Sequence, residues 1–191
     1  MPSPRDGPAT AAADAEMDGA VEIRRLEAAE VDEHLDGLAA VLHDCVEGGA
    51  SVSYLAPFSP ADARVAFAPL AADVREGRKL VFAAFADGGV VGTVQVILAA
   101  PPNQPHRGEI AKLLVKRSAR GRGVARLLME RAESGALAAG KTLLVLDTAH
   151  AHAERLYTNL GWNRLGVIPG YALLPDGRPC DTVVFWKALV P

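Results

Sequence analysis

The turn Arg120-Gly121-Arg122-Gly123-Val124-Ala125 combines residue types that can bind a phosphate group. It follows a strand-like run that ends at Val115 and opens an amphipathic helical pattern. The first turn of a helix presents unpaired N–H groups at the positive end of its dipole, where they attract anions. Gly121 and Gly123 let the backbone approach a ligand because they have no Cβ. With Arg126 adding positive charge, the segment predicts a pyrophosphate site.

Positive charge is concentrated around this turn. The whole chain has a net charge of −3, whereas residues 112–131 hold seven basic residues and one acid, Glu130. The basic residues are Lys112, Lys116, Arg117, Arg120, Arg122, Arg126 and Arg131. A local cluster in an acidic chain favours a small anionic ligand over a nucleic-acid partner. A solvated basic helix face is the structural alternative.

Two other phosphate motifs compete with this interpretation. A Walker loop, which needs Gly-Lys-Ser/Thr, is not expected in this chain. A dinucleotide-binding fold is the closer rival, because Gly121-Arg122-Gly123 opens a helix and Asp147 ends the next predicted strand. The third small position of that fingerprint is Arg126, whose bulk opposes close packing of the helix on the strand. The pattern therefore disfavours a dinucleotide.

Hydrophobic periodicity predicts an α/β fold with a mixed, mainly antiparallel sheet flanked by helices. We expect strands over residues 21–26, 79–86, 90–98, 109–115, 143–146, 162–171 and 182–187. Helices are expected over residues 28–47, 60–76 (interrupted at Pro69), 124–140 and 151–160. Asp87-Gly88-Gly89 predicts a hairpin. The apolar run 143–146 predicts a strand buried on both faces, joined to strand 109–115 by a right-handed parallel crossover.

The organisation predicted from composition is one domain over residues 21–190, preceded by a disordered leader over residues 1–20. The leader lacks the basic-then-apolar order of a secretory signal. Apolar runs are too short for a transmembrane helix, so we expect no membrane partner. The chain has two cysteines, Cys45 and Cys180, without paired spacing. This usage favours a reducing cytoplasm over a disulfide framework.

Two motifs resemble the signatures of the GNAT superfamily of N-acetyltransferases. Arg120, Gly123 and Ala125 match its Arg/Gln-x-x-Gly-x-Gly/Ala signature, and residues 153–162 match its Ala-x-x-Leu-Tyr-x-x-x-Gly-Phe type run. The resemblance covers residues 21–189 and implies a single-domain fold with two splayed parallel central strands. Within the superfamily, residues 49–57 and 167–173 are similar to the tabtoxin-resistance-like subgroup.

The resemblance implies that acetyl-CoA is the co-substrate and lies between the strands 109–115 and 143–147. The residues implied to contact it are Leu113, Leu114, Val115, Arg120, Gly121, Arg122, Gly123, Val124, Ala125, Arg126, His150 and Ala153. His150 stands where family members often carry Asn, so its contact is a departure from the pattern. No metal is expected at His150 and His152, since alternate side chains at a helix start should point apart.

Acetyl transfer to an amine requires a base, a stabilised oxyanion and a proton for the departing thiolate. The resemblance implies that Tyr157 serves the thiolate, chiefly by hydrogen bonding, since its ordinary pKa of about 10 exceeds the thiol's ~8.5. Glu109 and Asp147 are the candidate bases, as carboxylates on the two strands flanking the cleft. We expect Glu109 to share the face of its strand with Ala111, Leu113 and Val115. A backbone N–H near Leu114 would stabilise the oxyanion.

The sequence thus favours an acetyl-CoA-dependent N-acetyltransferase that acts directly on the primary amine of a small molecule. An amino acid-like compound or antimetabolite is the expected acceptor, with Tyr54, Phe58, Trp162 and Tyr171 as candidates for its pocket or for core packing. Cys45 and Cys180 lie outside both motifs, which disfavours a thiol nucleophile. A non-catalytic acetyl-CoA sensor or assembly module, and a protein or peptide N-acetyltransferase, remain alternatives. The family commonly dimerises, so the resemblance also permits a homodimer.

Overall fold

The computed structural model describes residues 20–99 and 101–190. Of the predicted leader, all residues before Ala20 lie outside this part of the chain. The helices are α1 (Ala28–Glu33), α2 (Leu35–Glu47), α3 (Pro60–Phe67), α4 (Leu70–Arg75), α5 (Val124–Ala138) and α6 (Ala151–Asn159). The strands are β1 (Glu22–Leu26), β2 (Lys79–Ala86), β3 (Gly89–Leu98), β4 (Arg107–Val115), β5 (Leu143–Thr148), β6 (Asn163–Leu173) and β7 (Pro179–Ala188).

The seven strands form one sheet in the order β1-β2-β3-β4-β5-β7-β6. Every neighbouring pair is antiparallel except β4 and β5, which are parallel. This confirms the predicted mixed, mainly antiparallel α/β fold. The parallel pairing joins only Arg107, Gly108 and Glu109 to residues of β5. Beyond Glu109 the two strands separate, as the two splayed strands of the prediction require.

Helices cover the two faces of the sheet unequally. One core lies between α5, α6 and the sheet, and includes Leu128, Leu144 and Phe185. The other lies beneath α1–α4 and includes Val41, Val81 and other side chains of β1–β4. Among the described residues, this second core contains none from β5, β6 or β7. The far half of the sheet is therefore open on that face, next to the place where β4 and β5 separate.

Two expectations need correction, and both reflect tertiary packing. The predicted helix over 28–47 is divided into α1 and α2 at His34, whose backbone leaves helical geometry at φ −99° and ψ 10°. The His34 ring packs edge-on against Phe85, with 5.0 Å between ring centroids. Strand β5 is not buried on both faces: Leu144 and Leu146 are buried, whereas Leu143 and Val145 are partly exposed. The layer formed by α1–α4 does not extend over this strand.

The punctuation signals in the sequence are confirmed. Asp87 and Gly88 form the turn between β2 and β3 with φ of 52° and 76°, the positive values that a tight hairpin requires. As predicted, the helix that begins at Pro60 is interrupted at Pro69: α3 ends at Phe67 and the chain resumes as α4 at Leu70. None of the helices in residues 20–99 and 101–190 combines the length and apolarity needed to cross a membrane.

Candidate active site

Strand β4 carries a β-bulge at the point where it leaves β5. Thr93 pairs with Leu114 and Gln95 with Ala111, so Lys112 and Leu113 together lie opposite Val94 alone. Lys112 adopts a left-handed φ of 52°, which non-glycine residues rarely do. A bulge of this kind bends the strand and interrupts its hydrogen-bonded ladder.

The bulge also changes which side chains of β4 share a face. Ile110 packs in the core beneath α5, and after the bulge Leu113 and Val115 pack against that same core. Leu114 instead belongs to the core beneath α1–α4. The expectation that Glu109 shares a face with Leu113 and Val115 is therefore wrong. The extra residue shifts the two-residue alternation by one position, which periodicity alone does not reveal.

A cavity of about 1060 Å³ opens where β4 and β5 separate. Of the predicted site residues, Arg122 alone does not line it. Those that do are Glu109, Leu113, Leu114, Val115, Arg120, Gly121, Gly123, Val124, Ala125, Arg126, Asp147, His150, Ala153 and Tyr157. The Arg122 guanidinium lies 3.3 Å from the Asp87 carboxylate instead. The structure therefore brings both sequence motifs to one cavity.

One end of the cavity is the start of α5. Gly121 and Gly123 have φ of 79° and 76°, and no atom lies within 4 Å of where a Cβ would stand at either position. Gly123 is the N-cap, and it offers no side chain to the first turn of the helix. Within the described residues, the N–H groups of Gly121, Gly123 and Val124 donate to no backbone carbonyl. These groups surround open space at the positive end of a 15-residue helix, a suitable cradle for phosphate oxygens.

Cations and their partners flank this cradle. Arg120 and Arg126 line the cavity, and Arg126 also pairs with Glu130 at 2.9 Å. The segment before the cradle is anchored by Asp44, which accepts hydrogen bonds from the backbone N–H and the side chain of Arg117 at 2.8 and 2.9 Å. Burial alone would raise the pKa of Asp44, but the hydrogen bonds and charge of Arg117 outweigh it and lower that pKa. Part of the basic cluster is therefore paired with carboxylates of the protein, while Arg120 and Arg126 place positive charge beside the cradle.

Tyr157 reaches the cavity from α6. It is 5% exposed, and its ring packs against those of Trp162 and Phe185 at centroid distances of 6.1 and 5.7 Å. Burial, and then the negative charge of Asp147, raises the pKa of Tyr157 far above its usual value. Within the described residues, the Tyr157 hydroxyl makes no hydrogen bond to the protein, and every fully buried side-chain oxygen has a partner. The hydroxyl is therefore not fully buried, and it opens to the cavity that Tyr157 lines. The hydroxyl is thus a protonated donor facing the cavity.

The two candidate bases lie on the neighbouring strands β4 and β5 at the cavity wall. Asp147 is exposed at the end of β5, and its Oδ2 accepts a 2.7 Å hydrogen bond from Thr182 on β7. Glu109 is half-buried on β4 and is the last residue of that strand to pair with β5, opposite Val145. The structure brings both carboxylates to the same cavity as Tyr157.

His150 and His152 also line the cavity, and their rings stack with centroids 5.6 Å apart. The expectation that they point apart is wrong, because His150 precedes the helix in an extended conformation at φ −115° and ψ 121°. Burial, then the charges of His152 and Arg120, lowers the pKa of His150, which favours the neutral ring. Among the described residues, no three His, Cys, Asp or Glu side chains form a group that could hold a metal.

Cys45 lines the cavity, although it lies outside both sequence motifs. Its side chain is buried, and its Sγ donates to the carbonyl of Val115 at 3.5 Å. Burial raises the pKa of the Cys45 thiol, so it stays protonated and is a poor nucleophile. Cys45 and Cys180 are both free thiols.

The loop of residues 50–57, called the 50–57 loop below, lines part of the cavity through residues 50–55. The sequence did not predict this role. Lys112 donates at 2.8 Å to both the carbonyl of Val52 and the hydroxyl of Ser53. Ser51 donates at 2.9 Å to the carbonyl of Leu173, which connects the loop to β6 at the edge of the sheet. These contacts join positions 59 to 122 residues apart, and no local signal announces them.

The candidate aromatic residues divide into two groups. Tyr54 and Tyr171 line the cavity, and Tyr171 is 56% exposed. Phe58 is buried and stacks on Tyr54, with 4.6 Å between ring centroids. Trp162 is buried in the core and donates to Glu133 at 2.7 Å. Ordinary core packing therefore describes Phe58 and Trp162.

The expectation that the chain lacks a Walker triplet is wrong, because Gly140-Lys141-Thr142 is present and Gly135 completes the spacing. A working Walker loop lies between a strand and the start of a helix. Here the match covers the end of α5 and the turn before β5, the reverse arrangement. Lys141 is buried and donates at 2.6 Å to the carbonyl of Pro105. The match is structural rather than a phosphate site.

Comparison with known proteins agrees with the cavity and its two motifs. A model of the acetyltransferase (GNAT) family matches residues 47–162, more than half of the chain. The chain belongs to this family. This GNAT protein is thus an acetyl-CoA-dependent acetyltransferase, and the resemblance that its motifs predicted is confirmed.

Solved structures of other acetyltransferases share the fold. An N-acetyltransferase from Staphylococcus aureus Mu50 has 21% identity and a TM-score of 0.75, over 90% of this chain and 99% of that one. A phosphinothricin acetyltransferase from Sinorhizobium meliloti, in complex with acetyl-CoA, has 19% identity and a TM-score of 0.72, over 91% and 89%. A ribosomal-protein-alanine N-acetyltransferase from Brucella melitensis has 24% identity and a TM-score of 0.71, over 88% and 99%. The similarity to a phosphinothricin acetyltransferase gives only loose support to the tabtoxin-resistance-like subgroup, which stays a prediction.

Proposed function

We propose that the protein transfers the acetyl group of acetyl-CoA directly to the primary amine of a small, amino acid-like compound. The observation that carries the proposal is the single cavity that joins the start of α5 to Tyr157, Glu109 and Asp147. A pyrophosphate cradle, a protonated donor and two carboxylates are the groups that this transfer needs.

The donor side of the cavity fits acetyl-CoA by its chemistry. The N–H groups at Gly121, Gly123 and Val124 would hold the pyrophosphate, with Arg120 and Arg126 adding charge. Beyond Glu109, β4 no longer pairs with β5, so its backbone groups near Leu113 and Val115 would pair with an extended ligand, like an added strand. The Val115 carbonyl already accepts from Cys45 Sγ and Arg120 Nε, so its N–H is the group that would serve there. His150 and Ala153, on the cavity wall at the start of α6, complete the proposed cofactor contacts.

Acetyl-CoA supplies a thioester, whose carbonyl carbon accepts the amine and whose sulfur departs as a thiolate. A free alkyl amine is mostly protonated at neutral pH, since its pKa is about 10.4. Glu109 or Asp147, directly or through water, would remove that proton. Backbone N–H groups beside the bulge, near Leu114, would stabilise the charge that develops on the carbonyl oxygen.

Tyr157 would donate a hydrogen bond to the departing sulfur. Its raised pKa makes complete proton transfer to a thiolate unfavourable, because the thiol is the stronger acid. The same shift keeps the hydroxyl protonated, and a hydrogen bond to a charged acceptor contributes about 1.5–3 kcal/mol. Stabilisation of the thiolate is therefore the role that the geometry supports best.

The walls of the acceptor side favour a small molecule. The 50–57 loop is tied to β6 through Ser51, and to β4 through Lys112. A further hydrogen bond holds the loop, from the Ala56 N–H to the carbonyl of Pro175 at 2.8 Å. These contacts enclose the space between Tyr54 and Tyr171, which suits a compact acceptor better than a folded protein.

A thiol-release assay with acetyl-CoA tests the proposal. A library of amino acids and other small primary amines is compared with peptides that carry free N-termini or lysines. We expect release with small amines, unaffected by competing peptides. Release with peptides alone would indicate a protein or peptide acetyltransferase. Calorimetric binding of acetyl-CoA without release for any acceptor would indicate a non-catalytic sensor and reject the proposal.

We also propose that the protein acts in the cytoplasm as a homodimer. Its two free thiols suit a reducing compartment. Strand β6 is one of the two edges of the sheet, and its Leu165 and Val167 are 71% and 45% exposed. An exposed apolar edge strand favours pairing with a second copy around a two-fold axis. Sedimentation should show a dimer that Leu165→Asp dissociates, and a wild-type monomer at micromolar concentration would contradict this.

A further inference from the structure

Lys112 combines a fixed position with an unused hydrogen-bonding capacity. Its Nζ donates at 2.8 Å to the carbonyl of Val52 and at 2.8 Å to the hydroxyl of Ser53. It also lies 5.4 Å from the centroid of the Tyr54 ring. An ammonium group has three N–H donors. Within the described residues nothing accepts the third, which is available to a ligand in the cavity that Lys112 lines.

The backbone on both sides of this contact is unusual. Outside the β2–β3 hairpin, the non-glycine residues with positive φ in the described chain are Lys112 and Ser53, at 52° and 82°. The hydrogen bond from Lys112 to Ser53 joins these two positions across the cavity. Strained backbone of this kind persists where surrounding contacts hold it, and it is concentrated at functional sites. The bulge and the loop therefore hold the ammonium in place.

The charge at this position is costly without an anion. Burial, then repulsion from Lys79, lowers the pKa of Lys112, and only the attraction of Asp147 opposes this. A buried charge is stabilised by a hydrogen-bonded partner of opposite sign. An anionic group on a ligand would supply that partner.

The charges on the acceptor side form a pattern that matches a zwitterion. Lys112 presents a positive charge, Glu109 presents a negative one on the same strand, and Asp147 presents another on the neighbouring β5. We propose that Lys112 determines acceptor specificity, by binding the carboxylate of an α-amino acid whose amine faces Glu109 and Asp147. This rests on the proposed function, and it adds which residue selects the acceptor and by which group.

The experiment compares L-amino acids with their primary amides as acceptors, in wild type and three variants. The readout is the acid-to-amide ratio of kcat/KM relative to wild type, because amidation itself changes the basicity of the amine. Lys112→Met removes the charge and keeps the aliphatic stem. Ser53→Ala breaks the contact with the loop and keeps the ammonium. Lys116→Met is the matched control, since Lys116 lies outside the cavity.

We expect Lys112→Met to lower the ratio by on the order of 10-fold or more, as for a charge-assisted hydrogen bond. Lys116→Met should leave the ratio unchanged. Ser53→Ala keeps the ammonium and its contact with Val52, so it should lower the ratio less than Lys112→Met does, even where it lowers overall activity. An unchanged ratio in Lys112→Met, or an equal fall in Ser53→Ala, would overturn the proposal and leave Lys112 as a tether of the loop.

Calorimetry separates this proposal from the proposed function. L-amino acids and their amides are titrated into protein saturated with CoA, a measurement that needs no turnover. Binding of the acids that Lys112→Met weakens supports carboxylate recognition even where no acetyl transfer occurs. If wild type transfers acetyl groups but binds acids and amides equally well, the proposed acetyltransferase function stands and the role of Lys112 is rejected.

Discussion

Replacing Tyr157 by Phe should slow acetyl transfer and leave donor binding intact. The ring is 5% exposed and packs against Trp162 and Phe185, contacts that Phe retains. The hydroxyl bonds to no protein group in the described chain, so its removal should change the free energy of unfolding by less than about 1 kcal/mol. What is lost is a hydrogen bond to the departing thiolate. At about 1.5–3 kcal/mol, this loss corresponds to a fall in kcat of roughly 10- to 150-fold.

The assay measures kcat from thiol release at saturating acetyl-CoA, and the Kd of acetyl-CoA by calorimetry. Tyr171→Phe, which also removes a hydroxyl from the cavity wall, is the matched control and should leave kcat nearly unchanged. A kcat for Tyr157→Phe within about twofold of wild type would refute the role of the hydroxyl, since the bond energy implies at least ~10-fold. A large loss of acetyl-CoA affinity would instead indicate a ground-state contact.

The pH profile gives an independent reading of the same residue. Burial, then the charge of Asp147, raises the pKa of Tyr157, so its hydroxyl should stay protonated past the ordinary tyrosine value of about 10. Deprotonation of Tyr157 should therefore not lower kcat between pH 8 and about 10. In that range the kcat profiles of wild type and Tyr157→Phe should have the same shape. The raised pKa favours the protonated form in the folded state, so its effect on stability is absent below about pH 10 and destabilising above it.

Three further predictions concern the cradle and the base. Gly123→Ala, at φ 76°, should cost about 1 kcal/mol of stability and weaken acetyl-CoA binding at least ~10-fold by calorimetry, whereas Gly140→Ala, also at φ 76° but outside the cavity, should cost stability alone. Asp44→Asn should raise the Kd of acetyl-CoA by roughly 3- to 10-fold, because the Arg117 contacts that anchor the cradle weaken; an unchanged Kd would show that the segment holds itself. Glu109→Gln should lower kcat/KM on the order of 100-fold at neutral pH with recovery at alkaline pH, and a full rate at neutral pH would remove Glu109 as the base.

Local sequence signals predicted the donor side of the cavity well. The glycines at 121 and 123 require positive φ and an open approach, and both requirements are properties of the residues themselves. The Asp87-Gly88 turn and the parallel crossover follow equally from local rules. The second motif placed Tyr157 on α6, and the fold carries it to the same cavity. The glycine and turn signals sufficed because each concerns the backbone near its own position, whereas Tyr157 was predicted through the resemblance to the family motif.

The acceptor side could not be predicted in the same way. The bulge at Lys112 depends on pairing with β3, and it reverses the face assignment of every later residue in β4. The 50–57 loop is held by Lys112 and Leu173, which are distant in sequence. The stacking of His150 on His152 depends on the extended backbone that precedes α6. These features arise from tertiary contacts, so periodicity and spacing contain no trace of them.

The most direct test of the account is to follow an isotopically labelled acetyl group. The protein is incubated with labelled acetyl-CoA and the amino acid panel, and the products are analysed by mass spectrometry alongside released CoA. The account predicts that a labelled N-acetyl amino acid accumulates in equal amount to free CoA, with no labelled acetyl group retained on the protein. Bound acetyl-CoA without any acetylated product, or a labelled acetyl-enzyme on the path to product, would contradict it.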